Sequence, residues 1–302
     1  MKIEAIRSGE IYDKIRTSID SNKENIYRYE LMKPFEKKWG CYQIPICAKT
    51  PGGYDVIMAS EMLGILPPRF VNDSYEKEIA LLKQDQIWRA CETTMVESFS
   101  YFEKKGIELP VDTYRYSILL ANPDSVYTKL SDGYCGDGGI PGYIFLTVLP
   151  NAYTLDRLPA AMAHECNHNV RFQFIKWSND ITLEEMMVTE GLAENFAVSL
   201  CGIEHLGPWV SKITKEELMQ TCLPILKEGL EVQGLDQITA YLYGDEIATE
   251  QGYQPVGLPF CAGYACGFYL VQYYLEKTGV DIAEATLKPA KEILDEVREF
   301  FA

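Results

Sequence analysis

Apolar positions recur along most of this chain at the helical spacing, broken by two short stretches of alternation. Residues 10–39, EIYDKIRTSIDSNKENIYRYELMKPFEKKW, are polar with spaced Ile, Tyr and Leu, and they read as helix. TPGGYDVIMASEMLGILPPRF, residues 50–70, carries turn signals and reads as irregular. Ile79, Leu82, Ile87, Ala90 and Met95 give residues 75–104 a helical stripe that Gly106 ends. In VDTYRYSILLAN, Tyr114, Tyr116, Ile118 and Leu120 alternate with Thr113, Arg115, Ser117 and Leu119, which marks a strand. YIFLTVLP, residues 143–150, predicts a second strand ending at Pro150, with DGYCGDGGIPG as a glycine-rich connection before it. No GxxxxGK[ST] pattern accompanies those glycines.

From Leu155 the period becomes helical again, with Pro159 tolerable only near the first turn. Leu158, Met162, Cys166 and Val170 form a core stripe, and His164, His168 and Arg171 occupy the neighbouring face. Thr182 with Glu185 makes a capping box that opens a further helix, TLEEMMVTEGLAENFAVSL. Asp281 and Pro289 begin two short packing helices near the C-terminus. These elements predict an α+β protein: a small, mainly antiparallel sheet packed on the His164 helix, with a mostly helical lower half. The expected division is a mainly helical region over residues 1–74 and a second domain over 75–302.

Composition narrows the function classes. The chain has 302 residues, 47% of them hydrophobic and 24% charged, which suits a substantial core. A formal charge of −16 argues against nucleic-acid or anionic-membrane partners, since phosphate binding needs a clustered basic surface. Nine cysteines form no CxxC pair, and the N-terminus is polar, so a cytoplasmic protein with reduced thiols is expected. LPFCAGYACGFYLVQYYL, residues 258–275, is the one stretch to raise a membrane question. Its proline, glycines and tyrosines favour a buried helix.

The candidate chemistry lies in AHECNHN, residues 163–169, which spends two of only three histidines. On a helix His164 and His168 share a face and can reach one ion, while Glu165 points slightly aside. This is the HExxH pattern, whose chance occurrence in so histidine-poor a chain is on the order of 0.003. A catalytic zinc site needs a third protein ligand. Glu184 and Glu185 serve the first turn of their helix, which leaves Glu190 and Glu194. Both interrupt an apolar face shared with Leu183, Met187 and Ala197. Either the pair is a solvated face, or Glu190 is the third metal ligand and Glu194 hydrogen-bonds a ligating histidine. Gly191 costs a helix about 1 kcal/mol against alanine, which suggests that another backbone passes close, as two crossed helices sharing a metal would require.

AMAHECNHNVR followed by VTEGLAENFA resembles the YjaZ-like family of predicted bacterial zinc-dependent proteases, a gluzincin-type zincin group, over residues 105 to 280. EGLAE is also similar to the NEGFAE segment of the aminopeptidase branch, although no GxMEN signature is present. The resemblance implies a zincin-like fold, a Zn2+ cofactor held by His164, His168 and Glu190, and Glu165 as catalytic base. It also implies that the strand from residue 143 borders a cleft where a peptide or protein substrate adds in extended form. Tyr264 matches a family tyrosine and becomes a candidate oxyanion donor, although packing is the common role of the 20 tyrosines. The 21 residues between His168 and Glu190 exceed the usual gluzincin spacing, and the loop FIKWSND must absorb them.

Three readings follow: a zinc peptidase working through a metal-activated water, a non-catalytic zinc-binding protein of zincin fold acting through partners, or a coincidental HECNH. Retention of Glu165 favours the first, because a purely structural site needs no base. His205, in CGIEHLGPW, reads as a satisfied polar residue near a helix end.

Overall fold

β-Branched and aromatic residues make the strand over residues 113–120 the natural seed of a sheet, and the computed structural model, which describes residues 1–301, builds four strands around it. They are β1 (Lys2–Ala5), β2 (Thr113–Leu120), β3 (Tyr134–Ile140) and β4 (Tyr143–Val148), in the order β1-β2-β4-β3. β1 and β4 both run parallel to β2, and only β3 with β4 is antiparallel. The sheet is therefore mixed, not mainly antiparallel. The reason is the connection from β2 to β4: it contains the helix Val126–Leu130 and all of β3, long enough for β4 to return in the same direction as β2. β3 then pairs with β4 through a turn in which Gly142 takes φ 85°.

Two of these strands are not visible in the hydrophobic pattern. β3 occupies the glycine-rich stretch read as a connection; its ladder, from Tyr134 opposite Val148 to Ile140 opposite Tyr143, supplies what glycine lacks in propensity. β4 is flanked on one side by β2 and on the other by β3. It offers no edge on which an extended peptide could add, and the sheet edges belong to β1 and β3.

By internal contacts the chain divides into two compact units, Met1–Thr94 with Val111–Met162, and Met95–Pro110 with Ala163 onward. The first holds the sheet and the N-terminal helices. The helical stripe from residue 75 is two helices, Glu76–Leu82 in the first unit and Asp85–Lys104, whose residues from Met95 on belong to the second, and the Trp88 indole donates to the Leu82 carbonyl at the break. Within the stretch read as irregular, Asp55 caps a helix over Val56–Met62 by accepting from the Ile57 N–H.

The motif helix spans Ala152–Phe174, three residues earlier than its period suggests. Asn151 accepts from the amides of Tyr153 and Thr154, so the cap lies upstream and Pro159 falls in the helix interior. Leu158, Met162, Cys166 and Val170 are all buried.

The second unit is helical. Its central element, the acid helix Leu183–Cys201, opens on the capping box of Thr182 and Glu185 and is mostly buried from Leu183 to Ala197. A third helix, Ala262–Thr278, crosses it with the two backbones in contact. A side chain at Gly191 would overlap the Gly267 carbonyl, and one at Gly267 would overlap the Met187 carbonyl. The Asn195 amide ties the crossing by donating to the carbonyls of Gly191 and Phe268. Gly191 thus does mark a close backbone approach, but the partner is the helix Ala262–Thr278 and not the motif helix. No described helix is long and apolar enough to cross a membrane, and Ala262–Thr278 is largely buried within its unit. None of the nine cysteines is joined in a disulfide.

Candidate metal centre

Spacing of four along the motif helix stacks His164 and His168, whose rings stand 4.7 Å apart at 77°. The acid helix brings Glu190 against them. Glu190 Oε2 lies 3.3 Å from His164 Nε2 and 3.1 Å from His168 Nε2, and the two nitrogens are 3.0 Å apart. Among the described residues this is the one group of three or more His, Cys, Asp or Glu side chains whose ligand atoms converge. All three residues are buried.

Behind this triangle stands Glu194, one turn beyond Glu190. Its Oε2 accepts from His164 Nδ1 at 2.8 Å. A carboxylate acceptor on Nδ1 holds that proton in place and turns Nε2 of His164 toward Glu190 and His168. Glu165, next to His164 in the chain, is 5% exposed. Tyr264 is in the first turn of its helix, 9% exposed, with its ring tilted against Tyr243 at 5.5 Å. His205 Nδ1 meets the Cys201 carbonyl at 2.9 Å, a local bond at the end of the acid helix. On the other imidazole, Phe172 of the motif helix stacks on His168, and Trp177 of the FIKWSND loop stands edge-on to Phe172.

The charges of these side chains are coupled. Burial opposes an imidazolium at His164, but hydrogen bonds with Glu190 and Glu194 outweigh it and hold its pKa up at about 10, above the usual 6.5. Burial opposes the Glu190 carboxylate too, yet the two imidazoles bring it down to about 2. At neutral pH the Glu190 carboxylate therefore stands against a protonated His164, and the two form a buried ion pair.

Donor chemistry provides a test of fit to zinc. Two imidazole nitrogens and one carboxylate oxygen match a hydrolytic zinc site, and tetrahedral ligation at 2.0–2.2 Å puts ligand atoms ~3.3–3.6 Å apart. The observed 3.3 Å meets the lower end of that range and 3.0 and 3.1 Å fall slightly below it, a gap that an outward shift of a few tenths of an ångström closes. The residues fit the ion. A consequence concerns protons: a ligand nitrogen must give up its proton to bind metal. Because His164 is protonated up to about pH 10 while Glu190 is already ionised, zinc uptake at pH 7.5 is expected to release at least about one proton. Calorimetry in buffers of different ionisation enthalpy checks this, and an enthalpy independent of buffer contradicts it.

Sequence reasoning missed Gly207 and Trp209, which also hold Glu194. The Gly207 amide donates to Oε1 and the Trp209 indole to Oε2, each at 2.7 Å. Neither has a periodic signature, because Trp209 lies in the four-residue helix Pro208–Ser211 with Gly207 as its N-cap, and only the fold shows their proximity to Glu194.

Together these residues define a buried His-His-Glu candidate metal centre on two neighbouring helices. Residues 87–295 match the model of a family described as "Predicted Zn-dependent protease (DUF2268)", and the chain belongs to that family. It is 38% identical over 291 residues to the uncharacterized protein YjfC of Bacillus subtilis, covering 96% of each chain. It is 29% identical over 138 residues to the uncharacterized protein YjaZ of the same organism, covering 45% of this chain and 49% of that one. The YjfC match takes in most of the N-terminal seventy residues, beyond the segment that carries the motif resemblance. No solved structure is significantly similar.

Proposed function

We propose that this protein is a zinc-dependent peptidase of gluzincin type, with zinc held by His164, His168 and Glu190. The observation that carries the reading is the convergence of those three donors at 3.0–3.3 Å, with a further carboxylate, Glu165, adjacent in sequence to the first of them. Zinc, when bound, supplies the Lewis acidity that acidifies water and polarises a carbonyl oxygen. Glu165 takes the proton from the attacking water and delivers it to the leaving amine, as general base and then general acid. Glu194 keeps the His164 ring in its ligating orientation. Tyr264 is assigned to the developing oxyanion, where a phenol donor gains strength as charge accumulates.

The substrate class is an extended peptide or protein, with neither nucleic acid nor membrane as partner and the cytoplasm as the expected compartment. The test is a peptide-library digestion by protein stripped with a chelator and then reloaded. The reading expects no cleavage by stripped protein and restored cleavage at about one zinc per chain. Stoichiometric zinc without cleavage would favour the non-catalytic alternative, and cleavage that survives complete metal removal would reject the metal mechanism.

A further inference from the structure

We infer that Trp209 is a positioning residue for His164, acting through the Glu194 carboxylate; this rests on the zinc reading above. A glutamate's terminal torsion is soft, so one hydrogen bond does not fix the direction in which its oxygens point. Glu194 has three. The Gly207 amide donates to Oε1 at 2.7 Å, while Trp209 Nε1 and His164 Nδ1 donate to Oε2 at 2.7 and 2.8 Å. The carboxylate is 3% exposed, so water does not compete for these positions. With donors on both oxygens, its plane is set by the segment Gly207–Pro208–Trp209, and the imidazole must align to it.

Trp209 also touches His164 directly, its ring standing at 70° with centroids 5.5 Å apart. Gly207 is part of the same device: a β-carbon there would overlap the Trp209 indole, so only glycine lets the amide and the indole reach one carboxylate. The two candidate ligands differ in this respect. His168 Nδ1 is buried with no hydrogen-bond partner among the described residues, and its ring is held by stacking on Phe172. His164 is thus the imidazole whose aim is set by hydrogen bonds from behind, and Trp209 supplies one of the two fixed points.

Trp209→Phe retains an aromatic edge against His164 and removes the N–H. The full-length variant, stripped and reloaded, is compared with wild type by zinc competition against a chromophoric chelator and by the ligand-field spectrum of the cobalt(II) form. Zinc affinity is expected to fall about 10–100-fold, the usual effect of losing an outer hydrogen-bond partner. The cobalt spectrum is expected to shift while circular dichroism stays that of wild type. Gly207→Ala, which displaces the indole, is expected to shift the cobalt spectrum in the same way. If Trp209 merely fills space, Trp209→Phe binds zinc as wild type does with an unchanged cobalt spectrum, and the inference is overturned. A wild-type protein that takes up neither metal rejects the zinc reading itself and this role with it.

Discussion

Glu165→Gln is expected to leave zinc at about one per chain and to lower peptide hydrolysis by about 10²–10⁴-fold, the usual contribution of a positioned proton-transfer group. That loss corresponds to about 3–5 kcal/mol of barrier. Metal content is retained because Glu165 is not one of the three donors that converge. The amide is isosteric but has no basic oxygen able to take a proton from water, so the defect falls on turnover and not on folding. Metal analysis and turnover measured on one preparation check both halves. A fully active variant would remove Glu165 from the mechanism, and a zinc-free one would make it part of the metal site.

Glu190→Gln has the opposite signature. It removes the one anionic donor of the triangle and keeps the shape of the buried side chain. Zinc affinity is expected to fall by more than about a hundredfold, beyond the range typical of losing an outer partner. Two histidines four residues apart remain, which is one ligand short of a hydrolytic zinc site. In the metal-free protein the same change deprives His164 of a carboxylate that holds its pKa high, so its pKa moves down from about 10. Chelator competition gives the affinity and NMR titration of the ring gives the pKa. Wild-type zinc affinity in this variant would remove Glu190 from the ligand set.

Much of the site's framework was legible because it is local. The HECNH spacing, the Thr182–Glu185 capping box and two glutamates on an otherwise apolar helical face are all properties of a few consecutive turns. The coarse α+β class was legible for the same reason. What escaped depends on contacts distant in sequence. β1 is four residues with too short a pattern to read, and it exists because β2 lies beside it. β3 is glycine-rich and gains its structure from β4, which is why the sheet comes out mixed. Gly191 signalled a close backbone approach without naming its partner, and Gly267 lies on a helix far along the chain. The Asn151 cap was hidden by attention to apolar period, which begins only inside the helix. Trp209 reaches Glu194 from a four-residue helix, Pro208–Ser211, too short for any periodicity to describe.

The central claim, one zinc ion shared by His164, His168 and Glu190, is tested most directly by anomalous diffraction at the zinc edge on crystals of stripped and reloaded protein. A single peak is predicted within about 2.0–2.2 Å of both Nε2 atoms and one Glu190 oxygen. A peak bound elsewhere, or reloaded protein with no zinc at these three side chains, would contradict it.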